Sequence, residues 1–164
     1  VRINREKNYV DDLNSLPMPA WDLLDMEKFE LNLDNFYNPT DNIIGKFKAA
    51  IFSSRACPLA CNFCDMFLVM GKKHRKRSFK NIVDEIELLM KEYKANDFEF
   101  FDLTAIIKKS WILEFCNTIK KRGLNNITWQ LPVGTRTETL DEEVSNVVSL
   151  GDILRTTPSS LSNS

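Results

Sequence analysis

The chain has 164 residues, 43% of them hydrophobic, and a formal net charge of −1. That is one domain's worth of chain with enough apolar material for a core. No apolar run reaches the ~20 residues a bilayer crossing takes. The absence of a signal peptide, together with thiols that read as reduced, leads to the expectation of a cytoplasmic protein.

Residues 1–41 are polar and rich in Asn and Asp, with three prolines and no sustained periodicity, so they read as an irregular linker. Within them the rigid apolar run Leu16-Pro17-Met18-Pro19-Ala20-Trp21 is expected to lie against the domain, and Asp22 to Phe29 to form one short helix. Lys46 to Ser54 reads as a buried parallel strand. It delivers the stretch Arg55-Ala56-Cys57-Pro58-Leu59-Ala60-Cys61-Asn62-Phe63-Cys64, which holds three of the four cysteines.

Three thiols in one small loop have no use in an ordinary core but suit a metal centre, and three ligands leave one metal position open. Iron–sulfur is favoured by spacing and ligand count. Zinc stays open as the alternative, although zinc sites pair two C-x2-C knuckles or add histidines and the only His is His74. A disulfide comes third, because so short a bridge is strained and leaves a thiol over. Cys116, inside a helical pattern, reads as a small buried apolar residue.

Lys72, Lys73, Arg75, Lys76 and Arg77 concentrate five positive charges, leaving −6 on the rest of the chain. The run lacks interleaved aromatics and reads first as a solvated lead-in to a helix, ahead of a phosphate or nucleic-acid site. Ser78 is the expected N-cap, followed by a helical stripe of Ile82, Val83, Ile86, Leu89, Met90 and Tyr93. A strand over Phe98–Phe101, a helix over Trp111–Arg122 stopped by Gly123, a strand over Ile127–Leu131 and a helix over Asp141–Val148 complete the pattern. Such repeats argue for an α/β fold, a parallel barrel or half-barrel of about three strand–helix units. Trp21, Trp111 and Trp129 read as core. From Gly151 the chain turns Ser-rich and polar and shows no strand pattern.

The cysteine run resembles the radical S-adenosylmethionine (SAM) signature C-x3-C-x-aromatic-C, with Cys57, Cys61, Phe63 and Cys64 in register. Leu16 to Leu24, Gly71 to Ser78, and Gly134-Thr135-Arg136 before Thr139 to Glu143 are similar to segments of the subclass with an N-terminal cobalamin-binding domain. The resemblance runs from about Asp11 to Leu150. It implies a partial radical SAM (β/α) barrel over residues 42–150. Residues 1–41 would be the linker following a cobalamin domain, which would lie before Val1, and 151–164 a tail foreign to the family. The chain is therefore expected to be a fragment.

The resemblance further implies that Cys57, Cys61 and Cys64 hold a 4Fe-4S cluster whose open iron takes SAM. Reduction then yields methionine and a 5'-deoxyadenosyl radical. Phe63 would pack near the adenine, Asp102 or Thr104 would hold the SAM amino group, and Arg136 would pair with a carboxylate of SAM or substrate. Cobalamin-dependent methylation or oxidative cyclisation of a small molecule, lipid or tetrapyrrole would follow, with flavodoxin or ferredoxin as reductant. Beside these roles stand plainer ones: Asp102 as a loop cap, Arg136 in a surface salt bridge, Phe63 in packing. An iron–sulfur electron carrier, with Cys116 as fourth ligand, and a zinc module remain the competing classes.

Overall fold

The computed structural model describes residues 9–25, 48–59, 61–124, 127–133, 141–149 and 154–155. Strands β1 (Lys48–Ile51), β4 (Asp97–Phe100), β5 (Thr128–Gln130) and β6 (Leu154–Arg155) form one parallel sheet in that order. Helix α2 (Phe79–Tyr93) connects β1 to β4, α3 (Lys109–Lys121) connects β4 to β5, and α4 (Glu142–Ser149) precedes β6. This is the mixed α/β architecture with a parallel sheet that the sequence pattern implies.

The period of two in the strands sorts their side chains by face. Ala49, Ile51, Phe98, Phe100 and Trp129 share the apolar core with Ile82, Ile86 and Leu89 of α2 and Ile112, Phe115 and Ile119 of α3. Phe115 is its centre: it stacks on Trp111 at 5.3 Å and meets Phe100 and Trp129 edge-on at 5.5 and 5.6 Å. Of the alternate positions, Lys48, Asp97 and Glu99 are buried and charged, Thr128 and Gln130 half-buried and polar, and Ala50 exposed. Lys48 pairs with Glu99 at 3.3 Å, and the Asp97 carboxylate accepts from Thr128 Oγ1 and Gln130 Nε2. The strands are consequently less apolar than an all-round buried parallel strand would be.

The helices end as their sequences dictate. Ser78 Oγ accepts from Asn81 N at the start of α2. Asp141 sits just outside α4 rather than within it, and its carboxylate accepts from Val144 N at 3.0 Å. Gly123, with φ +71°, takes the left-handed conformation that closes α3.

Three features depart from the sequence reading, and one element, a short helix, stands where the sequence reading assigned none. The strand expected over Lys46–Ser54 ends at Ile51, and Ser54–Arg55 (β2) instead pairs antiparallel with Arg75–Lys76 (β3). Phe67 to Met70 belongs to a short helix, α1 (Met66–Met70). Only a 3-10 turn, Trp21–Leu23, forms at the start of the helix expected over Asp22–Phe29, and residues 26–29 lie outside the described residues. Beyond Gly151, where no strand was expected, Leu154–Arg155 adds the fourth parallel strand.

The basic run is a solvated lead-in only in part: Lys72, Lys73 and Lys76 are exposed, but Arg75 and Arg77 are not. Arg75 is buried and donates to three carbonyls, Val10 O at 2.8 Å, Met70 O at 3.0 Å and Lys73 O at 3.3 Å. Its guanidinium lies 5.0 Å from the Tyr9 ring centroid, and Lys73 pairs with Asp11 at 2.8 Å. Asn14 Oδ1 accepts from Ser78 N, and Trp21 Nε1 donates to the buried Glu85. Together these straps hold residues 9–21 on the domain, as the apolar run around Leu16–Trp21 led one to expect. Gly71 is required here: with φ +80°, it would bring an added Cβ to 3.2 Å from Tyr9 Cε2.

Removing three bonds from a charged donor in a buried site makes Arg75→Ala about 3 kcal/mol less stable in urea denaturation. It should also open residues 9–14 to proteolysis before the rest of the chain. Lys72→Ala, which lacks such bonds, should change neither. An unaltered denaturation midpoint in Arg75→Ala would refute the strap.

Candidate functional site

The cysteine loop begins where β1 ends, at the C-terminal edge of the sheet, the edge at which parallel α/β folds gather their ligands. Phe101 N donates to Ile51 O at 3.0 Å, so β4 carries the pairing one residue past β1. The next residue is Asp102, only 2% exposed. Its carboxylate accepts from Ser53 N at 3.0 Å, from Ser53 Oγ at 3.0 Å and from Ser54 Oγ in a still shorter contact. Three donors hold a buried carboxylate that would otherwise carry a heavy desolvation penalty. The strand that enters the loop is thereby fixed to the end of β4.

From there β2 and β3 close the neck of a loop over residues 56–74, with Arg77 N donating to Ser53 O at 2.8 Å. At the first residue inside, Ala56 takes φ +69° while 2% exposed. A left-handed alanine carries strain of order 1–2 kcal/mol. The surrounding bonds therefore over-determine the turn that presents Cys57.

Cys57 and Cys61 line a cavity of about 350 Å³ with Pro58, Leu59, Asn62, Phe67 and Lys72. That is within the range of small-molecule sites, roughly 300–1,000 Å³. Lys72 lies 5.4 Å from the Phe67 ring centroid and gives the wall a positive charge. Cys57 Sγ is 3.5 Å from Thr104 Oγ1, whose hydroxyl donates to Leu103 O at 2.8 Å. Cys64 is half-buried, does not line the cavity, and is tied to Cys61 by a turn in which its N–H donates to Cys61 O at 3.1 Å.

The donor set suits a thiolate-held metal centre: three free cysteines within one loop, none of them buried, two facing one cavity. Convergence is a separate matter. Among the described residues no group of three or more His, Cys, Asp or Glu side chains comes together in metal-holding geometry.

The other expected site residues are placed as follows. Thr104 reaches Cys57, while Asp102 acts as the loop cap. Phe63 is 94% exposed and is not part of the cavity wall. Arg136 lies outside the described residues. Arg55 donates to Ser54 O at 3.1 Å and stacks 4.3 Å above Phe52; burial and the nearby Arg77 and Arg75 lower its pKa against the pull of Asp102. His74 Nε2 is buried without a hydrogen-bond partner among the described residues, and burial followed by the Lys76 charge lowers its pKa. Cys116 is 2% exposed within α3, and burial pushes its thiol up to about 11. A core thiol of that kind makes no fourth ligand to the loop. Sequence reasoning missed Ser53 and Ser54 as partners of Asp102, and only their position at a strand end hinted at it.

No family model matches the chain. It is 28% identical to an uncharacterized methyltransferase of Pyrococcus horikoshii, over 92% of this chain and 30% of that protein. It is 31% identical to the anaerobic magnesium-protoporphyrin IX monomethyl ester cyclase of Rubrivivax gelatinosus, over 73% of this chain and 19% of the relative. The fold matches the radical S-adenosylmethionine methyltransferase TsrM of Kitasatospora setae, solved with cobalamin and a [4Fe-4S] cluster, at a TM-score of 0.55 and 18% identity. That match covers 70% of this chain and 22% of TsrM. The chain thus spans less than a third of the length of each protein it matches. In sequence it resembles methyltransferases and an anaerobic cyclase, and in fold the radical SAM methyltransferase TsrM.

The difference among the thiols is measurable by alkylation. With a pKa of about 11, Cys116 is thiolate to about one part in 10⁴ at pH 7. Iodoacetamide on the native chain should label Cys57, Cys61 and Cys64 and spare Cys116, with the last label added only after unfolding. Labelling of Cys116 in the native chain at the rate of Cys61 would contradict this placement.

Proposed function

We propose that this chain carries the part of a radical SAM enzyme that holds the 4Fe-4S cluster and SAM. Cys57, Cys61 and Cys64 are the cluster ligands. The observation that carries the reading is the position of the C-x3-C-x2-C run: free thiols on a loop fixed at the C-terminal edge of a parallel sheet, beside a small-molecule cavity. When bound, the cluster supplies one electron for the reductive cleavage of SAM to methionine and a 5'-deoxyadenosyl radical.

In this reading the chain's own groups have distinct tasks. Asp102 positions the start of the loop through Ser53 and Ser54. Thr104 stands beside the Cys57 sulfur, where its hydroxyl would turn from Leu103 O to donate to the thiolate. Lys72 places a cation on the cavity wall toward an anionic occupant. Phe63 and Arg136 are assigned to SAM by the motif alone. Methyltransferases and an anaerobic cyclase among the relatives, and cobalamin in TsrM, support methylation or oxidative cyclisation of a small molecule with cobalamin as a further cofactor; flavodoxin or ferredoxin as electron source rests on the motif alone. Of localisation, the structure adds that no described helix is long and apolar enough to cross a membrane.

Anaerobic reconstitution with iron and sulfide tests the ligand set. Each of Cys57→Ala, Cys61→Ala and Cys64→Ala should lose most of the bound iron and sulfide, whereas Cys116→Ala should keep the wild-type content. Full iron content in Cys61→Ala would refute the assignment.

A further inference from the structure

A second cavity of about 350 Å³ is lined in part by Arg55, and it shares no wall residue with the cysteine cavity. The strapped N-terminal segment and the edge of β1 build it. Leu13, Pro17, Trp21, Ala50 and Phe52 make its apolar wall, and Arg55, Arg77 and Glu85 its polar one.

The charges there are unequally satisfied. Arg77 forms an ion pair with Glu85 at 2.5 Å and donates to Phe52 O at 3.0 Å, to Asn81 Oδ1 at 2.5 Å and to Asn81 O at 3.2 Å. Glu85 also accepts from Trp21 Nε1 at 3.1 Å. These two charges cancel, although Glu85 Oε2 has the Arg77 ion pair and no hydrogen-bond partner among the described residues. Arg55 differs: its plane stacks on Phe52, it gives one hydrogen bond, to Ser54 O, and it pairs with no carboxylate among the described residues. A guanidinium has five N–H donors in a planar fork. Among the described residues, one apolar cavity thus holds one uncompensated cation with most of its donors unused.

We propose that this cavity binds a small monocarboxylate with an apolar body, the carboxylate on Arg55 and the body against Leu13, Pro17 and Trp21. The fork of Arg55 matches a carboxylate in two parallel hydrogen bonds. One negative charge neutralises the wall, whereas a phosphate monoester, at about −1.5 to −2, overcharges it beside Glu85. The apolar wall gains by excluding water from an aliphatic or aromatic body. Because the two cavities have separate walls, this site stands whether or not the cysteine loop carries a cluster.

Trp21 forms part of the wall and is only partly buried, so its fluorescence reports occupancy, while Trp111 and Trp129 lie in the core. The full chain is titrated with octanoate, octanol and octyl phosphate, and Trp21→Phe confirms the origin of the signal. Octanoate should bind saturably, at least tenfold more tightly than either of the others. Arg55→Gln should remove that preference and leave octanol binding unchanged. Ala50→Phe, which fills the cavity, should abolish binding of all three. The comparison of ligands on the unaltered chain stands even where a variant fails to fold. Equal affinity for octanol and octanoate, tighter binding of octyl phosphate, or undiminished octanoate binding by Arg55→Gln would each overturn the proposal. So would displacement of octanoate by SAM, which would assign Arg55 to the site already proposed.

Discussion

The Asp102 carboxylate, buried at the end of β4 and holding Ser53 and Ser54, is the contact on which the candidate site depends. Hydrogen bonds to a charged group contribute about 1.5–3 kcal/mol each, and a buried carboxylate without them is strongly destabilising. The sheet can therefore keep Asp102 inside only while the chain entering the cysteine loop stays bonded to it. That condition links the core to the loop. Phe98 and Phe100 hold β4 in register with β1, and Asp102, two residues on, hands this register to Ser53 and Ser54. The β2–β3 ribbon then closes the loop's neck, and the left-handed turn at Ala56 aims Cys57 along the cavity wall.

A second constraint comes from the basic segment. Arg75 and Lys73 clamp residues 9–11, while Arg77 pairs with Glu85 and reaches Asn81 of α2. One stretch of sequence therefore closes the cysteine loop, fastens the N-terminal segment and anchors the first long helix. The same stretch contributes to the wall of both cavities, Lys72 to the one lined by thiols and Arg77 to the one lined by Arg55, whose guanidinium pairs with no carboxylate among the described residues.

Much of the fold was legible because it is periodic. The stripe of α2, its Ser78 cap, the inward Trp111, Phe115 and Ile119 of α3, and the apolar strands around Phe98 and Trp129 all follow from spacing and burial. The two-residue strands β2, β3 and β6 did not show, since pairs of residues have no period and their pairing is set by distant chain. Arg75 was misread for a related reason. Its partners, among them Val10 and Met70, are carbonyls that no composition reveals, so a buried strap looked like a solvated charge run. At the site, the cysteine spacing announced itself, whereas the partners of Asp102 emerge only when two strand ends meet. Phe63, assigned by the motif to the neighbourhood of a cofactor, stands exposed beside the cavity rather than in its wall.

What the account finally requires is that three sulfurs hold iron and leave one coordination position for SAM. Electron paramagnetic resonance of the anaerobically reconstituted, reduced chain, recorded with and without SAM, tests this directly. The account predicts the signal of a reduced 4Fe-4S cluster whose g-values shift when SAM is added. A signal indifferent to SAM, or a chain that takes up zinc and gives no signal at all, would contradict it.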